Sequence, residues 1–346
     1  MIEKMAAKPA ADDATKVSFS YLDIGGYNYA ASRYEKDGTL HPDRVIVGSE
    51  TLPKNLYHNW QLVKKLPYVI GDFMWTGWDY LGEAGIGTVR YKSFKNPGQD
   101  APIISAGCGV IDICGKPRPE VQWNRLIWGL DHTPGIGVEP YTHAGETGSE
   151  SMWRDTDAVA SWSWAGCEGK KAKVTVYSDG ETAELIVNGH SYGRKKTKEY
   201  KAVFKHVVYE PGTITAISYD GEGKEQSRTS MKTAVGPAEL RVVADRSTLQ
   251  AKTQDLAYIS IDLTGADGIT KSSEDTAVTV EVDGAGTLLA LGSARPNMGE
   301  NFFSDTHTTY YGKALAVVRG GDAPGKITVT VKAKGLPAKT LELEVI

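Results

Sequence analysis

Glu50 is the carboxylate whose setting first suggests chemistry. It directly follows Arg44-Val45-Ile46-Val47-Gly48-Ser49, a continuous apolar run with the character of a strand buried on both faces. Asp79 and Glu83 follow a second such run, residues 68–75, which ends on Trp75. Asn28 and Tyr29 follow a third, around residues 22–24. Three successive apolar runs therefore end in acids, an amide and aromatic rings. Paired carboxylates serve glycosidic bond cleavage, and aromatic faces stack on the C–H face of a sugar ring. Taken singly, each residue has a plainer account. Glu50 can be a loop acid, Trp75 and Trp78 core residues, and Asp79 and Glu83, spaced i,i+4, the solvated start of a helix.

The elements that must position these groups alternate. Residues 56–66 place Leu56, Trp60 and Val63 at near-helical spacing, and residues 120–128 predict a second helix after Pro117 and Pro119. Strand, helix, strand, helix argues for consecutive βα units, in a (β/α)8 barrel or a doubly wound sheet. In a barrel the C-terminal strand ends form the active face, where Glu50, Asn28, Tyr29 and Trp75 would then stand.

The chain changes character near residue 131. Residues 173–177, 183–187, 202–209 and 213–219 alternate, with turns at Asn188-Gly189, Pro211-Gly212 and Asp220-Gly221. Gly236-Pro237 marks the next boundary, and strands are predicted at 239–244, 256–264, 277–282, 314–318, 326–333 and 341–346. The expected division is 1–131 as α/β, with 132–235 and 236–346 as two β-sandwiches of immunoglobulin type.

Composition excludes several classes. The net charge is −4 and the basic residues form no long tract, so neither nucleic acid nor an anionic membrane is expected as partner. No run of 18 apolar residues would span a bilayer, and the first residues lack the apolar core of a signal peptide. Cys108, Cys114 and Cys167 make no disulfide framework and no zinc spacing, and read as small buried apolar groups.

The residues themselves are more specific than their periodicity. Asp23-Ile24-Gly25-Gly26-Tyr27-Asn28-Tyr29, then Val45-Ile46-Val47-Gly48-Ser49-Glu50-Thr51, then Gly71-Asp72-Phe73-Met74-Trp75-Thr76-Gly77-Trp78-Asp79-Tyr80-Leu81-Gly82-Glu83 resemble, in order and spacing, the closing third of the barrel of glycoside hydrolase family 2. Trp162-Ser163-Trp164, Glu184-Leu185-Ile186-Val187-Asn188-Gly189 and Tyr209-Glu210-Pro211-Gly212 are similar to the immunoglobulin-like domain that follows that barrel in β-galactosidases. Residues 238–346 resemble a further such domain, so the resemblance covers about residues 18–346.

The resemblance implies a retaining mechanism with Glu50 as nucleophile, forming a glycosyl-enzyme intermediate. It implies Trp75 as the floor of the sugar site and Tyr29 as hydrogen-bond partner of the nucleophile. Asn28, Asp79 and Glu83 are grouped with them as substrate-binding. The family's acid/base glutamate follows an asparagine at the end of the fourth barrel strand. No such pair stands in the right place here; Gly299-Glu300-Asn301 lies in the last sandwich. The expectation is a C-terminal portion, with about 130 residues of α/β against the ~250 of a full barrel, and without activity by itself. The substrate that the resemblance implies is a terminal β-galactoside, with a β-glucuronidase or β-mannosidase of the same family as the alternative. A different reading makes residues 132–346 a spacer or carbohydrate-binding module, with Trp153, Tyr192, Tyr310 and Tyr311 stacking on a glycan or packing at interfaces. No cofactor is expected; Mg²⁺ or Na⁺ is known in the family but has no recognisable ligands here. Partners expected are a carbohydrate substrate and either a second copy or the remaining half of the barrel. Family habit points to a periplasmic or secreted protein.

Overall fold

A computed structural model of the chain describes residues 2–91, 102–154, 156–296 and 299–346. Two helices open it, α1 (Ile2–Ala6) and α2 (Pro9–Phe19). Neither was predicted, because α2 buries no side chain completely and so carries little apolar periodicity. Ion pairs dock it instead: Asp12 meets Arg33 at 3.1 Å and His41 at 2.8 Å.

Strands β1 (Ile24–Asn28), β2 (Val45–Thr51) and β3 (Val69–Met74) follow, with α3 (Tyr34–Leu40) between the first two and α4 (Leu56–Lys65) between the last two. They form one parallel sheet in the order β1-β2-β3. Parallel neighbours need a crossover, and the helices supply it. Ile46 and Val69 from the sheet pack with Tyr27, Tyr34 and Leu66 into one core. Helix α5 (Glu120–Ile127) adds Trp123, Leu126 and Ile127 to a second cluster around Leu56. Both predicted helices are present, each ending one residue earlier than the spacing suggested.

The strands that follow make up two all-β units. Strands β4 (Gly135–Val138), β5 (Lys171–Tyr177), β6 (Thr182–Val187), β7 (His190–Lys196), β8 (Lys201–Val208), β9 (Thr213–Tyr219) and β10 (Glu225–Lys232) make two sheets, β4-β5-β8 and β10-β9-β6-β7. Their inner faces share a core of Trp162, Trp164, Val174, Leu185, Phe204 and Ile214. The β6–β7 hairpin turns on Asn188 (φ 47°) and Gly189 (φ 82°), the left-handed pair that Asn-Gly tolerates.

Strands β11 (Glu239–Ala244), β12 (Thr248–Leu249), β13 (Leu256–Thr264), β14 (Ala277–Gly284), β15 (Gly286–Gly292), β16 (Thr306–Thr308), β17 (Lys313–Gly320), β18 (Gly325–Ala333) and β19 (Leu336–Val345) form a second pair of sheets, β11-β13-β17-β15 and β12-β19-β18-β14-β16. Ile259, Ile261, Val280, Val318 and Val329 lie between them. Strict alternation of burial along β17 and β18 is what a sheet with one core face and one outer face requires.

The units interlock. Tyr311 packs edge-on against Trp164 at 5.9 Å, Tyr310 lies 4.3 Å from Tyr311, and Ser272 donates to Ser161 at 2.8 Å. Tyr192 packs on the first sandwich core and accepts the Val208 N–H. The C-terminal sandwich also reaches the α/β part, where Ile104 N–H donates to the Pro296 carbonyl. No helix among the described residues is long and apolar enough to cross a membrane.

Candidate active site

The parallel ladder brings the predicted residues to one edge of the sheet. Asn28 is the register partner of Glu50, and Thr51 that of Met74. One step further, Tyr29 N–H donates to the Glu50 carbonyl at 2.7 Å and Trp75 N–H to the Thr51 carbonyl at 2.8 Å. Tyr29, Glu50 and Trp75 therefore stand on neighbouring strand ends. Tyr29 has φ 50°, a left-handed conformation that costs a non-glycine residue on the order of 1 kcal/mol. The conformation ends the strand as its phenol meets the carboxylate of the neighbouring strand.

The Glu50 carboxylate is half-buried and held at both oxygens. Tyr29 hydroxyl donates to Oε1 at 2.5 Å, and Asn28 Nδ2 donates to Oε2 at 3.1 Å. Ser49 hydroxyl donates to Asn28 Oδ1 at 2.8 Å and so orients the amide. Trp153 Nε1 donates to the Tyr29 hydroxyl at 2.9 Å, its ring edge-on to the phenol at 6.3 Å. Burial first, and the Glu50 carboxylate second, push the Tyr29 phenol well above its ordinary range, so it remains a donor at neutral pH. Among the described residues no lysine or arginine pairs with Glu50. A carboxylate held by neutral donors can attack an electrophilic carbon or accept a proton.

A second chain of contacts runs through the segment after β3. Trp75 Nε1 donates to the Tyr80 hydroxyl at 3.0 Å, with the rings edge-to-face at 5.5 Å. The Tyr80 hydroxyl donates in turn to Glu83, which is exposed. Burial and Glu83 hold the Tyr80 phenol above its usual range as well. The Trp75–Thr76 peptide is cis.

Asp79 is placed differently. It is 5% exposed and its carboxylate faces inward: Oδ2 accepts Arg118 Nη2 at 3.1 Å, and Oδ1 accepts the N–H of Gly107 at 2.9 Å and of Tyr80 at 3.1 Å. A side chain at Gly109 would put its Cβ 2.2 Å from the Asp79 nitrogen, so only glycine allows this close approach.

Direct hydrogen bonds thus join Asn28, Tyr29 and Glu50; Tyr80 joins Trp75 and Glu83; Asp79 is tied to Arg118. Ser49, Tyr80, Arg118 and Trp153 are the partners that sequence reasoning did not assign to the site. Ser49 and Tyr80 adjoin predicted residues, so local order could have found them. Trp153 and Arg118 lie far along the chain and carry no local signal. Among the described residues no cluster of three or more His, Cys, Asp or Glu side chains could hold a metal ion.

Comparison with known proteins agrees with this architecture. Residues 240–342 match the family described as glycoside hydrolase family 2 C-terminal domain 5, and residues 169–227 match a domain family of unknown function. A solved glycosyl hydrolase family 2 member from Bacteroides cellulosilyticus is 33% identical, with a TM-score of 0.85 over 98% of this chain and 44% of that one. A second solved structure from strain DSM 14838 of that species is 32% identical, with a TM-score of 0.80 over 96% of this chain and 42% of that one. A β-galactosidase of Bacteroides ovatus is 26% identical over 284 residues, which is 82% of this chain and 29% of that protein. The chain therefore spans less than half the length of these relatives. Sequence, fold and neighbours agree that the chain belongs to glycoside hydrolase family 2 and corresponds to the C-terminal portion of its members.

Proposed function

We propose that this chain supplies the nucleophile half of a retaining β-glycosidase that removes terminal β-galactosyl groups. The observation that carries the reading is the Glu50 carboxylate at the end of the middle of three parallel strands, held by Tyr29 and Asn28. Two hydrogen bonds fix its plane, which shortens the search for an in-line approach to the anomeric carbon. Attack there forms a glycosyl ester on Glu50 and expels the aglycone, and water later cleaves the ester. Tyr29 and Asn28 position the nucleophile. Trp75, locked by Tyr80, offers the ring on which the sugar rests, and Glu83 accepts a sugar hydroxyl. Asp79 acts through Arg118 and the backbone, as the group that holds the Trp75–Glu83 loop.

In this reading β1, β2 and β3 are part of a (β/α)8 barrel, and the two sandwiches are immunoglobulin-like, spanning 132–235 and 236–346. Retention needs a second carboxylate about 5–5.5 Å from the first, to protonate the leaving oxygen. Among the described residues no second carboxylate hydrogen-bonds to Glu50, Tyr29 or Asn28, and we assign the acid/base to the part of the relatives' length that this sequence does not span. Support for galactose comes from the Bacteroides ovatus relative.

The test is hydrolysis of a nitrophenyl β-galactoside. This chain alone is expected to be inactive. Fusing to it the N-terminal part of the Bacteroides cellulosilyticus relative should restore turnover, and Glu50→Gln should then lower kcat by a factor of at least ~10³. Turnover by the chain alone, or full activity of the Glu50→Gln chimaera, overturns the reading.

A further inference from the structure

Behind Asp79, where the α/β part meets both sandwiches, residues of all three line a cavity of about 120 Å³. That is far more than the ~10–15 Å³ one water needs. Lys116, Arg118, Arg154 and Lys313 are its cations, and Asp112 and Asp157 its carboxylates. The carboxylates are already engaged. Asp112 Oδ1 accepts the N–H of Cys114 and of Lys116, each at 2.9 Å, and Asp157 accepts the Tyr91 hydroxyl.

The arginines are anchored on their far sides. Arg118 reaches Asp79 and the Gly107 carbonyl, and Arg154 Nε reaches Glu120 at 3.3 Å. Their remaining N–H groups have no partner among the described residues. Among the described residues Lys116 Nζ meets the neutral Ser260 hydroxyl, at 2.6 Å, and no carboxylate. Lys313 makes no ion pair among the described residues, although it is half-buried. Burial pulls its ammonium below the ordinary lysine range; the nearby Asp262 and Asp112 offset part of that, and Lys116 adds to it. Arg154 likewise repels Arg118. Buried charges are ordinarily paired, and four cations lining one polar cavity leave unused N–H donors whose charge an anion would compensate, as a water molecule would not.

We propose that this junction cavity binds a small inorganic oxyanion of the phosphate or sulfate type, and that the anion ties the three units together. A tetrahedral oxyanion presents acceptors in several directions at once. That suits donors arriving from the α/β part (Lys116, Arg118), the first sandwich unit (Arg154) and the second (Lys313). The proposal does not rest on the activity proposed for Glu50, although Arg118 is shared with the Trp75–Glu83 loop through Asp79.

The experiment is the melting temperature of the whole chain titrated with phosphate, ionic strength being held constant with sodium chloride. A saturable rise of several degrees is expected, because a ligand that binds only the folded state stabilises it by mass action. Lys313→Met and Lys116→Met should each weaken the apparent affinity at least tenfold, while Lys313→Arg keeps it within a few-fold. If neither methionine variant folds, calorimetric titration of the unaltered chain with phosphate against chloride decides. No saturable phosphate effect, or the same effect in foldable methionine variants, overturns the proposal.

Discussion

Asp72 should make the protein lose stability as pH rises from about 4 to about 6, and Asp72→Asn should remove that loss. Asp72 lies on β3, beneath the strand ends that carry Glu50 and Trp75. Its oxygens accept Thr51 Oγ1 at 3.0 Å and Asn59 Nδ2 at 3.1 Å. A Cβ at Gly48 would lie 2.8 Å from its Oδ1, so the surroundings are close-packed. Burial pushes its carboxyl up to about 6, against an ordinary 3.8, and the two hydrogen bonds offset only part of that. The folded chain then binds a proton more tightly than the unfolded chain. The contribution to stability is complete below pH ~4 and falls away as pH rises through about 6. At 1.36 kcal/mol per pK unit the loss is on the order of 2–3 kcal/mol by neutral pH.

Asparagine has the same shape. Its carbonyl can still accept from Asn59, and its amide can donate to the Thr51 hydroxyl, with no charge to bury. Calorimetric unfolding of both proteins between pH 4 and 8 measures the difference. Asp12 and Asp131, whose carboxyls are held low, act in both proteins alike and cancel. The variant should match the parent near pH 4 and exceed it in the transition of the α/β part by pH 7.5. A stability difference that is flat with pH, or a variant less stable at pH 7.5, refutes the reasoning.

Three further outcomes follow from the same geometry. Arg118→Met leaves Asp79 buried without its cation and should cost about 3–5 kcal/mol in chemical denaturation; adding Asp79→Asn should recover much of it. Tyr29→Phe leaves the Trp153 indole N–H without its acceptor and Glu50 Oε1 without its donor, and should cost about 1–3 kcal/mol, visible as a lower Tm and altered tryptophan emission. Among the described residues β1 and β3 each leave one edge unpaired, and Ile24, Ile70 and Phe73 are exposed on them, so the chain should self-associate; sedimentation at rising concentration should show it, and Phe73→Lys should weaken it.

Much of the fold was legible because local pattern determines it. The apolar runs before Glu50 and Trp75 form parallel strands, and Asn188-Gly189 forms the expected hairpin. The limits of β9, β11 and β13 coincide with those read from alternation. Less was legible where elements are short or polar. β16 has three residues, too few to alternate, and the register of β15 against β17 shifts between Leu288 and Ala290, which breaks its period.

The sequence by itself determined which residues would end neighbouring strands. A period-2 backbone with hydrogen-bonded register leaves Tyr29, Glu50 and Trp75 little choice once their strands pair side by side. Only the tertiary structure decided what touches them. Trp153 reaches the Tyr29 hydroxyl because the long segment between β4 and β5 of the first sandwich folds back over the strand ends. Asp79 turns from the surface because Arg118, 39 residues on, meets it inside. Contacts of that kind depend on how whole units dock, and docking is governed by shape and burial summed over many residues. No short stretch of sequence carries that information.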